Sequence, residues 1–275
     1  MKKKRKRFLI WLIIIAGIVG FWWFNTFSLT ETHVTIADEK IENEITIVQL
    51  TDLHGASFGQ NNQHLLNKIA AAQPDLIAVT GDMYSAGDSS GQATALSLLT
   101  ALAQDYPVYF VNGEHDNDTA FMENLAANGI HILNYQAEEM IINGTQLCLY
   151  GINNVYYSPT FDLANEFTLD PDKYNILLAH IANFSAFAVF GMDLSICGDT
   201  HGGQVRLPWI GAVNNRGIWF PEITANHYGE VDYIKGLYSK DDKQLFISSG
   251  LGNYPLPFRL FNRPEISIIH LVPAA

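Results

Sequence analysis

The pattern of apolar and polar residues gives one long apolar run followed by a series of short ones. Residues 8–24 (FLIWLIIIAGIVGFWWF) contain no charged residue, and Phe27 extends this run. A run of seventeen residues lies at the short end of the range for a membrane-spanning helix. A cleaved signal peptide is the competing interpretation. We favour an uncleaved anchor, because Thr26-Phe27-Ser28 is a poor cleavage site.

The residues around this run give the anchor an orientation. Positions 2–7 hold six of the sixteen basic residues of the chain. Such residues stay in the cytoplasm, and Trp22 and Trp23 lie where an interfacial aromatic belt is expected. We therefore predict a basic cytoplasmic head at 1–7 and a transmembrane helix at 8–27. The rest of a single-pass cell-membrane protein would then lie outside the cytoplasm.

After the anchor, residues 28–43 are predicted to form a polar stalk with a first strand at 32–36. Short apolar runs then alternate with amphipathic stretches. In the first half we predict strands at 45–50, 76–80 and 108–111 and helices at 64–72, 92–103 and 119–128. In the second half we predict strands at 130–133, 139–142, 146–150, 176–179, 194–197, 244–248 and 266–271.

This order of elements predicts an α/β fold over residues 44–275. Alternation in the first half and a β-rich second half indicate two β-sheets packed face to face as a sandwich flanked by helices. Residues 206–233 are expected to form an aromatic loop over the site, either as structural packing or as an apolar wall for a lipid. His227 in this loop is the histidine outside the motifs with the best claim to a site role.

Composition narrows the classes of partner. Without residues 2–7, the chain has ten basic residues against 28 acidic ones. An acidic body argues against nucleic acid as a partner, because phosphate binding depends largely on Lys and Arg. Cys148 and Cys197 each lie in an apolar run, which predicts free, buried thiols with a disulfide as the alternative.

Residues able to bind a metal follow several predicted strands. Asp52 and His54 come at the end of the run Val48–Leu50, and in an extended chain side chains i and i+2 lie on the same face. They can therefore converge on one ion. Similar strand ends follow at Thr80-Gly81-Asp82, Asn112-Gly113-Glu114-His115-Asp116, Ala179-His180 and Cys197-Gly198-Asp199-Thr200-His201. Open α/β sheets place their sites at this end of the strands.

In this order, Asp-x-His, Gly-Asp, Gly-x-His-Asp, a lone His and Gly-x-x-His resemble the calcineurin-like metallophosphoesterases. The stretches 202–208 (GGQVRLP), 249–252 (SGLG) and 263–266 (RPEI) are similar to the membrane-associated bacterial branch of that family. The resemblance covers about residues 43–271. It implies a calcineurin-like phosphoesterase fold and a metal-dependent phosphoric ester hydrolase with a two-metal hydroxide mechanism.

The resemblance also implies a ligand set. The first ion would be held by four residues that match the family, namely Asp52, His54, Asp82 and His201. Asp82 would bridge to a second ion, which His180 also holds. Glu114 and Asp199 stand where the family has Asn and His. Both replacements are carboxylates, which can still bind a cation, so we expect the second site to be retained and the protein to hold two divalent ions. Oxygen ligands favour Mn or Mg, and Fe or Zn is also compatible with the first site. The alternative is a second site that no longer works in catalysis.

The resemblance assigns His115 to stabilising the phosphoryl group or protonating the leaving oxygen. Asp116 is expected to orient His115, with an N-cap of the next helix as the alternative. The leading hypothesis is a membrane-anchored phosphoesterase acting on a lipid-linked or envelope phosphate ester. The second is a catalytically silent relative that binds metal or a phosphorylated envelope ligand. The sequence carries no signal for the exact substrate, a monoester or diester preference, or the oligomeric state.

Overall fold

The computed structural model describes residues 2–153, 160–215, 218–219 and 233–274. The helices are α1 (Lys2–Phe27), α2 (Gln63–Ala72), α3 (Ser89–Ala103), α4 (Thr119–Ala127) and α5 (Phe184–Phe190). In chain order the strands are β1 (Thr30–Asp38), β2 (Ile45–Leu50), β3 (Leu76–Thr80), β4 (Val108–Val111), β5 (His131–Ile132), β6 (Gln136–Ile142), β7 (Thr145–Gly151), β8 (Tyr174–Leu178), β9 (Leu194–Cys197), β10 (Val205–Leu207), β11 (Gly211–Asn215), β12 (Ile218–Trp219), β13 (Gly236–Lys240), β14 (Lys243–Ile247) and β15 (Glu265–Pro273). Single 3₁₀ turns lie at Gln60–Asn62, Leu163–Asn165 and His201–Gly203.

Two sheets of six strands each make up the body. The first has the order β1-β15-β2-β3-β4-β5, and the second has the order β13-β14-β9-β8-β7-β6. Strands β2 to β5 run parallel to one another, as do β7, β8, β9 and β14. The loops that leave the carboxyl ends of these parallel strands therefore gather at one end of each sheet.

The two sheets pack face to face because residues alternate between the two faces of each strand. In β3, Leu76 and Ala78 join an apolar cluster with Ile176 and Ile196 of the second sheet. The neighbouring residues of β3 face the opposite way and pack against α2, α3 and α4. Helix α5 covers the outer face of the second sheet. The predicted sandwich of two sheets flanked by helices is therefore confirmed.

The segment 206–233 differs from the prediction. The sequence predicts a loop, but β10, β11 and β12 form a small three-stranded sheet between Val205 and Trp219. Its strands are only two to five residues long, which is too short for an alternation of apolar and polar residues to be detected in the sequence. Residues 216–217 and 220–232, including His227, lie outside the described residues.

Helix α5 and strand β13 were not predicted. The α5 sequence FSAFAVF is apolar on all sides and only seven residues long, so it carries no helical periodicity. Asn183 caps its first turn, and Gly191 ends it in a left-handed conformation with φ 110°. Cys148 and Cys197 are free and buried, as the sequence predicted.

Helix α1 takes in the basic head as well as the apolar run. By length and composition, it is the one helix of the described chain that could cross a membrane, and its apolar window is only 6% buried. The region predicted as a stalk contains β1, which pairs in parallel with β15 from Thr30↔Glu265 to Asp38↔Pro273. Residues 30–38 therefore form an edge strand of the first sheet.

Candidate metal centre

Five loops carry the residues that the sequence analysis singled out. They follow β2, β3, β4, β8 and β9, and they hold Asp52, His54, Asp82, Glu114, His115, Asp116, His180, Asp199 and His201. Most of these side chains are buried or half-buried, although the loops lie at the end of the sandwich. The topology thus brings residues from positions 52 to 201 to one end of the sandwich.

The geometry that unites Asp52 and His54 differs from the prediction. Strand β2 ends at Leu50, and both residues adopt left-handed conformations with φ of 52° and 45° instead of extended ones. Both residues are hydrogen-bonded to the loop after β3. The backbone N–H of Asp52 donates to the carbonyl oxygen of Gly81 at 2.9 Å, and that of His54 donates to the carbonyl oxygen of Asp82 at 3.0 Å. The two side chains therefore converge because the loop is coiled against its neighbour, and the same-face argument for an extended strand was wrong here.

Left-handed backbone recurs at other site residues. Asp82, Asp199 and His201 have φ of 55°, 72° and 50°. Such conformations are uncommon outside glycine and concentrate at functional sites, where surrounding contacts hold them. Gly113 lets its loop approach the Asp82 side chain closely, since a Cβ at this position would overlap the carboxylate of Asp82. Side chains at the centre are thus positioned by tightly packed loops.

Asp82 lies at the middle of the cluster. Its Oδ2 is 3.7 Å from Nε2 of His54 and 3.4 Å from Nε2 of His180. On the far side of His54, Nε2 of His201 lies 3.1 Å from Nε2 of His54 and 3.7 Å from Oδ1 of Asp52. The Asp82 carboxylate is therefore close to both His54 and His180, while His201 lies beside His54 and Asp52.

Backbone hydrogen bonds orient these donors. Nδ1 of His180 lies 2.7 Å from the carbonyl oxygen of Thr80, which leaves Nε2 directed into the cluster. That Nε2 is buried and has no hydrogen-bond partner among the described residues. The backbone N–H of Asp199 donates to both oxygens of Asp52 at 3.1 and 3.2 Å. The arrangement matches the outer contacts that fix metal-binding histidines in a single tautomer.

Burial and charge shift the pKa of each central group. Burial raises the pKa of Asp52 to about 7 and lowers the pKa of His54 to about 4. Burial also holds the pKa of His201 well below its usual range. Burial disfavours the charged forms of Asp82 and His180 too, but their mutual attraction outweighs it, lowering the pKa of Asp82 and raising that of His180 to about 10.

The donor set suits divalent cations. In the part of the chain that the structure describes, three overlapping triads have one ligand atom per residue within 4.8 Å of the others, namely Asp52/His54/His201, His54/Asp82/His115 and Asp52/Asp82/His180. His54 and His201 keep neutral rings, and metal binding requires a deprotonated imidazole nitrogen. The orphaned Nε2 of His180 and the facing Nε2 atoms of the other two rings would be satisfied by cations. The residues therefore fit a metal centre.

Glu114 and Asp199, the two departures from the family pattern, lie at the edge of this centre. Both line a cavity of about 350 Å³ that also exposes Asp82, His115 and His201. Asp199 Oδ1 lies 3.9 Å from Nε2 of His180. Neither residue belongs to the three triads found among the described residues. Their carboxylates face the same space as the central donors, without being drawn into the innermost group.

His115 and Asp116 occupy different environments. The His115 ring borders the cavity, its Nδ1 accepts from the backbone N–H of Ala86 at 3.3 Å, and it packs edge-on against His54. The fully buried Asp116 accepts from the N–H groups of Met83 at 2.8 Å and Gly113 at 2.6 Å.

Asp116 therefore joins the loops after β3 and β4 through its carboxylate. The N-cap alternative for Asp116 is wrong, because Asp118 caps α4 by accepting from the N–H of Phe121 at 2.8 Å. Burial raises the pKa of Asp116 to about 6.

Sequence reasoning missed two residues of the 252–264 loop. Tyr254 stacks on His54 with ring centroids 4.8 Å apart and packs edge-on against His115 at 4.6 Å. The guanidinium of Arg259, fully buried, donates to the carbonyl oxygens of Ser249 at 2.8 Å and Gly252 at 2.6 Å. Neither follows a strand with a ligand motif. The only signal was their position between the two family-like stretches at 249–252 and 263–266.

Comparison with known proteins agrees with this geometry. The family model for calcineurin-like phosphoesterases matches residues 45–203. The chain is 30% identical to phosphodiesterase YaeI of Escherichia coli, over 82% of each chain. It is 27% identical to a metallophosphoesterase of Caenorhabditis elegans, over 94% of this chain and 56% of that protein. It is also 26% identical to a "transmembrane protein with metallophosphoesterase domain" of Bos taurus, over 82% of this chain and 52% of that protein. The chain thus spans little more than half of the two animal proteins.

Proposed function

The chain belongs to the calcineurin-like phosphoesterase family, and from this premise we propose that it is a membrane-anchored, metal-dependent phosphoesterase. Its substrate would be a phosphate ester of a lipid-linked or envelope component. The observation that carries the proposal is the position of Asp82, whose Oδ2 lies within 3.7 Å of the Nε2 atoms of both His54 and His180. A carboxylate this close to two imidazoles can serve as a ligand that two neighbouring divalent ions share.

Seven residues would hold the ions. Asp52, His54, Asp82 and His201 would bind the first, and Asp82, Glu114, His180 and Asp199 the second. Bound divalent ions would supply a water of lowered pKa and neutralise phosphate charge. The protein itself fixes the metal-binding side chains. The hydrogen bond between Thr80 and His180 orients one imidazole, and Asp52 and Asp82 are held in buried positions. Mn or Mg is the proposed occupant of the oxygen-rich second site.

His115 would donate a proton to the leaving group. Its ring borders the cavity beside Asp82, and the bond from the Ala86 N–H to Nδ1 leaves Nε2 available to carry a proton. Water adds to phosphorus, the P–O bond to the alcohol breaks, and the alcohol oxygen takes up a proton from His115. The attacking water releases one proton, which replaces the proton that His115 donates, so the protons balance over a turnover.

Anchoring by α1 is the second part of the proposal. The helix is long and apolar enough to cross a membrane, and the basic residues at 2–7 favour a cytoplasmic amino terminus. The bovine relative is itself named a transmembrane protein. The phosphoesterase domain would then lie outside the cytoplasm, in contact with membrane or envelope components.

The test is hydrolysis of a generic aryl phosphate by the full chain in detergent, with Mn added to metal-free protein. Activity that depends on Mn and is lost in Asp82→Ala, together with both equivalents of metal, would support the proposal. Asp118→Ala is the matched control, because it removes an exposed carboxylate that caps α4. Metal binding without hydrolysis of any mono- or diester would instead favour the silent, ligand-binding alternative, to which the replacements Glu114 and Asp199 point.

A further inference from the structure

Residues 253–263, which we call the rim segment, join the cavity to the end of helix α1. Near one end of the segment, Tyr254 stacks on His54 at 4.8 Å. Near the other, Phe261 packs edge-on against Phe21 of α1, with ring centroids 5.6 Å apart. A single stretch of eight residues therefore contacts both the metal centre and the proposed membrane anchor.

Hydrogen bonds fix the rim segment against α1. The backbone N–H of Phe261 donates to Oδ1 of Asn25 at 2.8 Å, and the side-chain amide of Asn253 donates to the carbonyl oxygen of Thr26 at 3.1 Å. Asn25 and Thr26 are both buried by this contact. These hydrogen bonds therefore fix the position of the rim segment along the axis of α1.

The rim segment also exposes large apolar side chains. Leu256 is 66% exposed, Phe258 43% and Phe261 53%. Three exposed large apolar side chains within six residues are more than the single, scattered ones that are normal on a soluble surface. Phe21, which Phe261 touches, lies about 9 Å before the end of α1 at 1.5 Å per residue. The surface therefore overlaps the apolar part of the helix.

From this continuity, and resting on the proposed function, we propose that Leu256, Phe258 and Phe261 insert into the membrane surface, so that the cavity takes its substrate from the lipid leaflet. The occupant of this surface is the bilayer, because Phe261 packs against Phe21 of a helix that is long and apolar enough to cross one. Insertion to the level of the headgroup and acyl boundary is typical of such side chains.

Tyr254 connects the rim segment to the cavity. It lines the cavity with Pro255, and the amide of Gln204 donates to its carbonyl oxygen. A phosphate ester held at the level of the lipid headgroups would meet the cavity along the rim segment. The substrate class is therefore a lipid that carries a phosphate ester in its headgroup.

The surface can be tested without reference to activity. Single cysteines at Leu256 and Phe258 would carry an environment-sensitive fluorophore, since the native Cys148 and Cys197 are buried. The matched control is Ile141→Cys. Ile141 is 73% exposed on β6 and pairs with Gln146 near the start of β7, at the end of the sandwich opposite the site. In phosphatidylcholine vesicles, spin-labelled lipids should quench positions 256 and 258 several-fold more than position 141. Equal quenching at all three positions would overturn the proposal.

A second measurement addresses the substrate class. Full-length protein in vesicles is assayed on phosphatidic acid in the bilayer and on a soluble aryl phosphate. In the double variant Leu256→Ser/Phe258→Ser, the ratio of the lipid rate to the soluble rate should fall ~tenfold or more, because two apolar anchors are lost. Ile141→Ser should leave the ratio as in wild type. An unchanged ratio in the double variant would overturn the lipid route. If wild type hydrolyses neither compound but quenching persists, the surface stands and the proposed function fails.

Discussion

Nδ1 of His180 lies 2.7 Å from the carbonyl oxygen of Thr80, and Nε2 of the same ring lies 3.4 Å from Oδ2 of Asp82. The first contact fixes the second, because a ring that donates through Nδ1 to the Thr80 carbonyl has its Nε2 directed toward Asp82. Thr80 is the last residue of β3, and His180 follows β8. The bond therefore joins the two sheets at the point where their donors meet.

The first prediction follows from that bond. His180→Ala should reduce the metal content of Mn-saturated protein from two equivalents to one, because the proposed second site loses its only imidazole. Elemental analysis of purified protein measures this directly. His64→Ala, which removes an exposed histidine of α2, should keep both equivalents. Two equivalents in His180→Ala would rule out the assigned ligand role.

The sequence was sufficient to predict the sandwich and the meeting of the site residues because both depend on strong local signals. Apolar runs such as Ile45–Leu50 and Leu76–Thr80 become fully or nearly buried strands, and their carboxyl ends share one edge. The backbone conformation beyond those ends has no comparable local signal. Asp52 and His54 take left-handed conformations that depend on bonds to a loop thirty residues away.

Residues that act through tertiary contacts escaped sequence reasoning altogether. Tyr254 meets His54 across 200 residues of chain, and Arg259 is buried against carbonyl oxygens of its own loop. Neither contact has a local pattern, because aromatic stacking and guanidinium–carbonyl bonds place no constraint on neighbouring positions. The same holds for α5, whose short and almost wholly apolar sequence shows no amphipathic period.

His115→Ala tests the assignment of the general acid. We expect turnover to fall by ~10²-fold or more, because a positioned proton donor contributes that much to leaving-group departure. Metal content should not change, since the proposed ligand sets do not include this ring. Steady-state rates on an aryl phosphate with a poor leaving group measure the effect. A substrate whose leaving group needs no proton should show a smaller loss, and equal losses on both would argue against proton donation.

Asp116→Ala separates a structural role from a catalytic one. Both carboxylate oxygens accept from buried backbone N–H groups, those of Met83 and Gly113. Leaving these donors unsatisfied should lower the free energy of unfolding by roughly 2–4 kcal/mol. Asp118→Ala, which removes only a helix N-cap, should cost about 1 kcal/mol. Thermal unfolding of both variants in the same detergent gives the comparison, and a smaller loss in Asp116→Ala than in the control would contradict this account.

The proposed topology makes a separate prediction. With the basic head in the cytoplasm, the domain that begins at β1 lies outside, so protease added to intact wall-stripped cells should digest it. An epitope at the amino terminus should survive that treatment and disappear only after lysis. Digestion of the domain only after lysis would reverse the orientation.

The last prediction concerns Glu114 and Asp199, which put two carboxylates where the family pattern has neutral ligands. The proposed ligand set then carries four carboxylates, so two divalent ions leave the centre near neutral. Glu114→Asn with Asp199→His should shift the metal preference from Mn or Mg toward Zn, because an amide and an imidazole replace hard anionic oxygens. The double variant should also bind phosphate more tightly, since its centre regains about two units of positive charge.

Asp199 and Glu114 lie at different positions relative to the central donors. Asp199 lies 3.9 Å from Nε2 of His180, whereas Glu114 only lines the cavity outside the three donor triads. Asp199→His should therefore account for more of the shift than Glu114→Asn. The two effects should not add, because residues that share an ion are coupled. Metal content and phosphate inhibition constants for wild type, both single variants and the double variant complete the cycle. If wild type takes up one equivalent of metal under saturating Mn, the second site is vestigial, and the carboxylates serve the cavity in another way.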